Sequence, residues 1–515
     1  MAIQKVWDQL WLLSRESDPR QVVLMALEAL LASAVLIAGY RLFLHPLSHV
    51  PGPFLAKLTG LWRSNKYFRG NWHEDILDCH RRYGRVVRIA PNELSVVDEQ
   101  AMKDLYGHGH NAPKTSWYSV WDPPETAPQL FSELDKSNHS FLRKRLTNAY
   151  SMTSIMQYEK FIQDCLSLLL EKLEKYADAG ETVNMSNWTN AFAFDVVGEL
   201  GFGEQMGHLR TETDVDGLRK NIFDLFAISA NMGYFPGQMF IITNRVTQWI
   251  GRLLRVNNPL EAFRVWSTER IERRFEKRDS AKREDLLAHF CRMKNRQGGP
   301  ASFGEVLIEA LNLVGAGADT TSIGMRACLY YVARNPDVYK RLQEEVDAFY
   351  RDNKLDAPIT YAQTQTLPYL QAVVKEATRI LPSIVFQLPR YAPPDFSVRG
   401  IKIPENTHVG ISPIAQNRDQ DIWGPDADEF KPDRWLQDPA KARYYDRSTM
   451  TFGGSGPRMC IGKNIALVEL HKFLAQFIHH YDFDLANKER PWHITTYWFA
   501  YQYDLFMHIT RRRVA

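Results

Sequence analysis

Cysteine is scarce in this chain: five residues in 515, at Cys79, Cys165, Cys291, Cys328 and Cys460. The count is odd and no two are spaced as CxxC. That excludes a disulfide framework and zinc sites of the usual spacing, and it places the body of the chain in a reducing compartment. Net charge is also nearly absent. A formal +3 excludes nucleic acid as a partner, and no basic stripe with interleaved aromatics occurs. Internal repeats are missing. With 45% hydrophobic and 24% charged residues, the composition excludes disorder and supports a large core.

Long apolar runs are absent but for one. Val22 to Tyr40 carries a single charge, Glu28, and is long enough to cross a bilayer. A cleaved signal peptide does not fit, because the apolar block begins too far in and lacks a good cleavage site. Arg15 and Arg20 before the span balance Arg41 and Lys57 after it, so flanking charge does not set its orientation. "HPLSHVPGP", His45 to Pro53, then fixes φ with three prolines and forms a stiff hinge. The expected layout is a short segment 1–21, an anchor 22–44, the hinge 45–53, and one domain 54–515. Helical periodicity dominates that domain. Short strands are expected in Val86–Asp98, Phe396–Ile411 and Tyr503–Thr510, giving a mainly α fold with small β-sheets.

The loop "FGGSGPRMCIGKNIA", Phe452 to Ala466, holds one thiol among four glycines, ahead of apolar residues at helical spacing. Backbone N–H groups and the positive end of a helix favour a thiolate there. Glycines let the backbone approach something flat, and Arg458 suits an anionic group on it. Three readings stand: a structural cysteine, a nucleophile awaiting a base from elsewhere, or an axial ligand of haem iron. The helix after Cys460 is expected to be amphipathic and packed inside.

The haem reading expects further features, and candidates exist. "GAGADTT", Gly315 to Thr321, interrupts an apolar helix expected from near Phe303 to near Asn335. Mid-helix glycines cost roughly 1 kcal/mol each, and the two glycines with the two alanines beside them leave room for a flat group or a small gas molecule. Thr320 is placed to bond the Ala316 carbonyl, and Asp319 is an acid in an apolar run, a candidate proton relay. "KEATR" supplies Glu376 and Arg379 on one helix face, and "FKPDRW" supplies Arg434. Such a buried network would fix geometry more than it would stabilise.

Taken together, these motifs resemble the membrane-bound cytochrome P-450 haem-thiolate monooxygenases. The haem loop is matched by Gly456, Arg458, Cys460 and Gly462, and the oxygen-activating motif by Ala316, Gly317, Asp319, Thr320 and Thr321. The ExxR pair and the later arginine are matched by Glu376, Arg379, Pro432 and Arg434. "YRLFLHPLSHVPGP" and "YGRVVRIAPNEL" look like the fungal, pisatin-demethylase-like branch. The resemblance implies the P-450 fold, Cys460 as metal ligand to haem b, and haem-propionate binding by Arg458, Arg143, His139 and Arg390. His139 stands where the family usually has tryptophan, and the loop's aromatic, Phe452, stands one residue further from the cysteine than is usual. Asp319 and Thr320 would be catalytic in proton delivery, and Glu376, Arg379 and Arg434 would form a structural triad.

The resemblance also implies O2 and NADPH-derived electrons through a cytochrome reductase, with cytochrome b5 as a second donor. The chain would be an endoplasmic reticulum protein, single-pass, with a cytosolic catalytic domain. Lys144, Arg145 and Lys463 would be cations able to steer an acidic reductase. Aromatic-rich stretches at His110–Pro124, Ser383–Gln387 and Thr495–Tyr501 would line a pocket for an apolar small molecule, a fungal secondary metabolite. A haem-thiolate isomerase or dehydratase on the same scaffold, or a non-catalytic haem sensor, would leave the acid–threonine pair without purpose.

Overall fold

The computed structural model describes residues 18–512 apart from 111, 123–125, 236, 239, 241–243, 254–258, 277–282 and 491. The helices that frame the site are labelled here in chain order. They are α1 (Pro19–Gly39), α2 (Leu61–Phe68), α3 (Lys136–Thr147), α4 (Met152–Ala179) and α5 (Met185–Gly201). After these come α6 (Leu218–Met232), α7 (Phe303–Arg334), α8 (Pro368–Ile380) and α9 (Lys463–His480). The strands are β1 (Val86–Ala90), β2 (Glu93–Val96), β3 (Thr182–Asn184), β4 (Arg390–Tyr391), β5 (Ser397–Val398) and β6 (Ile401–Lys402). The last five are β7 (His408–Ile411), β8 (Tyr481–Leu485), β9 (His493–Tyr497), β10 (Phe499–Tyr503) and β11 (Phe506–Arg511).

Helix α1, with the π-turn Tyr40–Leu44 that follows, stands outside the core. The stretch Arg20–Leu44 has a hydropathy of 2.3 and none of it is buried. Asp18 caps its first turn and Pro19 opens it, so the helix starts sharply.

Four small sheets edge the helical body. The largest has the order β1-β2-β7-β4, parallel only between β2 and β7. Pro91 and Asn92 make the β1–β2 turn, where sequence patterning placed it. A second sheet has the order β3-β11-β8, and β9 and β10 form a separate hairpin.

Helix α7 crosses the centre. Its N-terminus is fixed by a capping box in which Ser302 and Glu305 satisfy each other's backbone amides. It packs on α5 through its small residues. A Cβ at Gly317 would lie 3.0 Å from Val197 Cγ1, and Leu313 fits against Gly201. Gly317 serves helix contact and Gly315 faces the Phe226 ring, so of the small residues expected to leave room it is Ala316 that is accessible.

Helix α9 is packed inside, as expected, but it is buried on nearly every side and so is not amphipathic. Its polar residues are paired inside the fold. Lys472 reaches Glu159 at 2.5 Å, Gln476 meets Gln163, and the His471 ring bonds the Leu467 carbonyl. Glu469 is the exception, with both carboxyl oxygens buried and unbonded among the described residues.

Candidate functional site: a thiolate loop beneath a central helix

The loop before α9 is shaped by glycine. Gly453 and Gly454 have φ of 81° and 78°, a conformation β-carbons resist. At Gly456 a Cβ would sit 2.0 Å from the Tyr106 carbonyl oxygen. The loop closes where the Cys460 amide donates to the Phe452 carbonyl at 3.0 Å. Phe452 therefore stays beside the cysteine despite its extra residue of separation, and Lys463 lies over its ring at 5.4 Å. The surplus residue is taken up by the paired left-handed glycines.

Cys79, Cys165, Cys291 and Cys328 are buried, whereas Cys460 is accessible although it lies deep in the fold. Its thiol thus faces an interior space. Burial raises its pKa, while the Gly462 amide, the Arg143 guanidinium and the Lys463 amide and ammonium pull it back. Helix α7 packs on α9 where Gly324 meets Leu470, and it presents the accessible Ala316. The partly open cysteine loop and the open stretch of α7 around Ala316 leave room suited to a flat group, a space here called the slot.

The rim of this slot is cationic. His139, Arg143, Arg390 and Arg458 converge there, joined by Lys114, which sequence reading did not single out. Arg143 donates to the Met459 carbonyl at 2.6 Å, and Arg458 to the Glu133 carbonyl at 3.2 Å. Arg390 donates to the Tyr118 hydroxyl at 2.5 Å, while its Nε is buried with no partner among the described residues. Lys114, 6% exposed, is held by the Leu130 and Phe131 carbonyls and sits over the Tyr118 ring. Burial, then Arg458 and Arg390, lowers the Lys114 pKa well below its usual range. Burial and four of these cations push His139 to about 3. Buried cations of one sign cost several kcal/mol unless an anion joins them. Two carboxylates on the rim of a flat group would satisfy the Arg390 Nε and relieve the repulsion, so the residues fit a haem with its thiolate ligand and propionates.

Above the slot, Thr320 donates to the Ala316 carbonyl at 2.7 Å, as its spacing predicts. Asp319, 4% exposed, does not face solvent. It accepts from Asn190 at 2.8 Å and from the Tyr501 hydroxyl at 3.2 Å. Burial raises its pKa, and the Asn190 hydrogen bond works against that.

Below the slot, Glu376, Arg379 and Arg434 form one fully bonded network. Both Arg379–Glu376 hydrogen bonds and the Arg434–Glu376 ion pair measure 2.8 Å. Trp435 and the Lys431 amide complete the carboxylate, and Arg379 also caps the Asn417 and Ala427 carbonyls. Asn417, missed in the sequence, joins this network to the cysteine loop: its side chain accepts from the Met450 amide and donates to Thr451. No spacing pattern marks such a residue, because its partners are backbone groups distant in sequence.

One expected surface cation is not at the surface. Arg145 pairs with Glu305 and Glu309 at 2.6 and 3.1 Å and is 6% exposed, so it neutralises internal acids and cannot steer a partner.

Comparison with known proteins agrees with this geometry. The cytochrome P450 family model matches residues 49–509. Cytochrome P450 monooxygenase cicH of Emericella nidulans is 32% identical over 88% of this chain and 92% of its own length. Pisatin demethylase of Fusarium vanettenii is 31% identical over 90% of each chain. Cytochrome P450 monooxygenase gsfF of Penicillium aethiopicum is 31% identical over 91% of this chain and 94% of its own. A lone accessible cysteine, the anion-seeking rim around it and a match running almost from end to end are accounted for together: this chain belongs to the cytochrome P450 family and is a haem-thiolate monooxygenase.

Proposed function

We propose that the protein uses haem b, O2 and NADPH-derived electrons, delivered by a cytochrome reductase with cytochrome b5 as a second donor, to oxidise an apolar small molecule of fungal secondary metabolism. Cys460 would hold the haem iron through its sulfur. The observation that carries this reading is the accessible thiol inside the fold beneath a rim of Lys114, Arg143, Arg390 and Arg458 with a neutral His139 among them. The aromatic wall supports an apolar substrate: Trp117, Trp121, Phe226, Phe499 and Trp498 lie ring against ring beside Gly315 of α7. Pisatin demethylase, a relative of comparable length, is named for a demethylation, and an oxidation of a small molecule is proposed here without choosing its subtype.

Haem iron, when bound, supplies dioxygen activation, and its thiolate ligand favours O–O cleavage. The chain's own residues do the rest. Arg143, His139, Arg390, Arg458 and Lys114 orient the haem by its propionates. The amides of Gly462 and Lys463 favour the thiolate against burial, which raises the thiol pKa. Asp319 and Thr320 hold and pass protons above the slot, while the Glu376–Arg379–Arg434 network and Asn417 keep the loop in place. The layout that follows is a lumenal segment 1–21, an anchor 22–44, a hinge 45–53 and a cytosolic domain 54–515 on the endoplasmic reticulum.

The test is spectroscopic. Reduced, carbon-monoxide-treated protein is expected to show the thiolate-ligated Soret band, and Cys460→Ser to lose it and all turnover. A variant that kept that band would remove Cys460 from the iron. Thr320→Ala is expected to keep the band while diverting consumed O2 to peroxide, measured as peroxide per NADPH.

A further inference from the structure

Asp319 is tied from outside its own helix in an uneven way. From α5, Asn190 donates to one carboxyl oxygen at 2.8 Å. The other oxygen accepts from Tyr501, which belongs to the β9–β10 hairpin. That hairpin is part of the aromatic wall. The Tyr501 ring leans on Phe223 of α6, centroid to centroid 4.8 Å, and on Phe499 at 5.8 Å. The hairpin is also stitched to the segment around Thr320. Ala500 donates to the Ser383 carbonyl at 2.9 Å, and the Ser383 hydroxyl donates to the Thr320 carbonyl at 2.7 Å. The same hairpin therefore touches both the acid and the threonine.

We propose that Tyr501 is a positioning residue for Asp319: its hydroxyl, carried on a pocket-wall hairpin, sets the orientation and proton affinity of the acid, so that ligand packing against Phe223 and Tyr501 is felt at the proton relay. The proposal rests on the reading of Asp319 as relay acid.

The charged and titratable groups facing Asp319 are few. Arg326 acts from its own helix, Arg219 from α6, and Tyr501 and Tyr503 from β10; Asn190 faces it from α5 without titrating. Burial raises the acid, and the bonds from Asn190 and Tyr501 with the charges of Arg326 and Arg219 oppose it. Burial raises Tyr501 well above the ordinary tyrosine range, so its hydroxyl stays protonated and donates. Hydrogen bonds to a carboxylate favour the charged form, and losing one favours the protonated acid.

The experiment uses the full haem-loaded chain in detergent. The infrared band of the protonated Asp319 carboxyl, assigned by its loss in Asp319→Asn, is followed against pH. In Tyr501→Phe the band is expected to change frequency and persist to higher pH than in the native chain. In turnover with reductase and NADPH and no added substrate, the share of consumed O2 released as peroxide is expected to rise severalfold. A band and a peroxide share both unchanged in Tyr501→Phe, while Asp319→Asn alters both, would overturn the positioning role and leave the relay reading intact. A peroxide share unchanged in Asp319→Asn would overturn the relay reading itself. If Tyr501→Phe does not accumulate with haem, Phe223→Leu takes its place, since it disturbs the ring contact and keeps the hydroxyl. A shifted band supports the proposal, and an unmoved one overturns it.

Discussion

Glu469 sits on α9 with both carboxyl oxygens buried and unbonded among the described residues, and burial raises its pKa well above the ordinary carboxyl range. A carboxyl raised on folding adds stability that is complete below its unfolded pKa of about 4.3 and is lost as pH rises through the folded value. Glu469→Gln should therefore gain on the native chain as pH rises. The check is the thermal midpoint of both proteins from about pH 5 to about pH 8, with the difference growing in the variant's favour across that range. Lys114 makes the complementary case. Lys114→Met removes one cation from the rim, so haem content per chain is expected to fall while the carbon-monoxide spectrum of the loaded fraction keeps its thiolate form. Cys460, Glu376, Arg379, Arg434, Asp319 and Thr320 were legible because each sits in a spaced motif. Lys114, Asn417 and Tyr501 were not, since their roles come from contacts to carbonyls, amides and a carboxylate brought in by tertiary folding.

At the scale of elements, the cysteine loop depends on one close approach. Gly456→Ala places a methyl group against the Tyr106 carbonyl at a φ of 153°, and the backbone has no room to give. It is expected to abolish the thiolate spectrum, a loss beyond the few kcal/mol of an ordinary surface glycine replacement. An equal loss in Gly317→Ala would contradict this reading, since that contact is 3.0 Å to a side-chain methyl and helix propensity repays about 1 kcal/mol. Helix α7 was readable almost to the residue because proline first interrupts its apolar run at Pro336. Strands β3 and β8 were not, being short and paired with β11 from far along the chain. The burial of α9's polar side chains was hidden for a similar reason: Glu159 and Gln163 lie on α4 and Ile359 in a loop, and together they satisfy those side chains inside.

For the molecule as a whole, the apolar surface does not stop with α1. Phe54, Leu55, Leu61 and Phe68 are exposed just after the hinge, and Phe240, Val246, Trp249 and Leu253 are exposed further along. The rings of Phe68 and Phe235 lie 6.3 Å apart, which brings the two segments to one side. A chain lacking residues 1–44 is therefore expected to float with phosphatidylcholine vesicles, and Phe240→Ser with Trp249→Ser to weaken that binding; a freely soluble truncation would refute it. The crowd of positive side chains at 114, 143, 390 and 458, two of them buried, has a consequence for the living cell. Until its pigment arrives, a newly made copy carries that repulsion at its centre and is a ready target for proteolytic clearance. The quantity of enzyme should then rise and fall with porphyrin supply, even when its messenger RNA is constant.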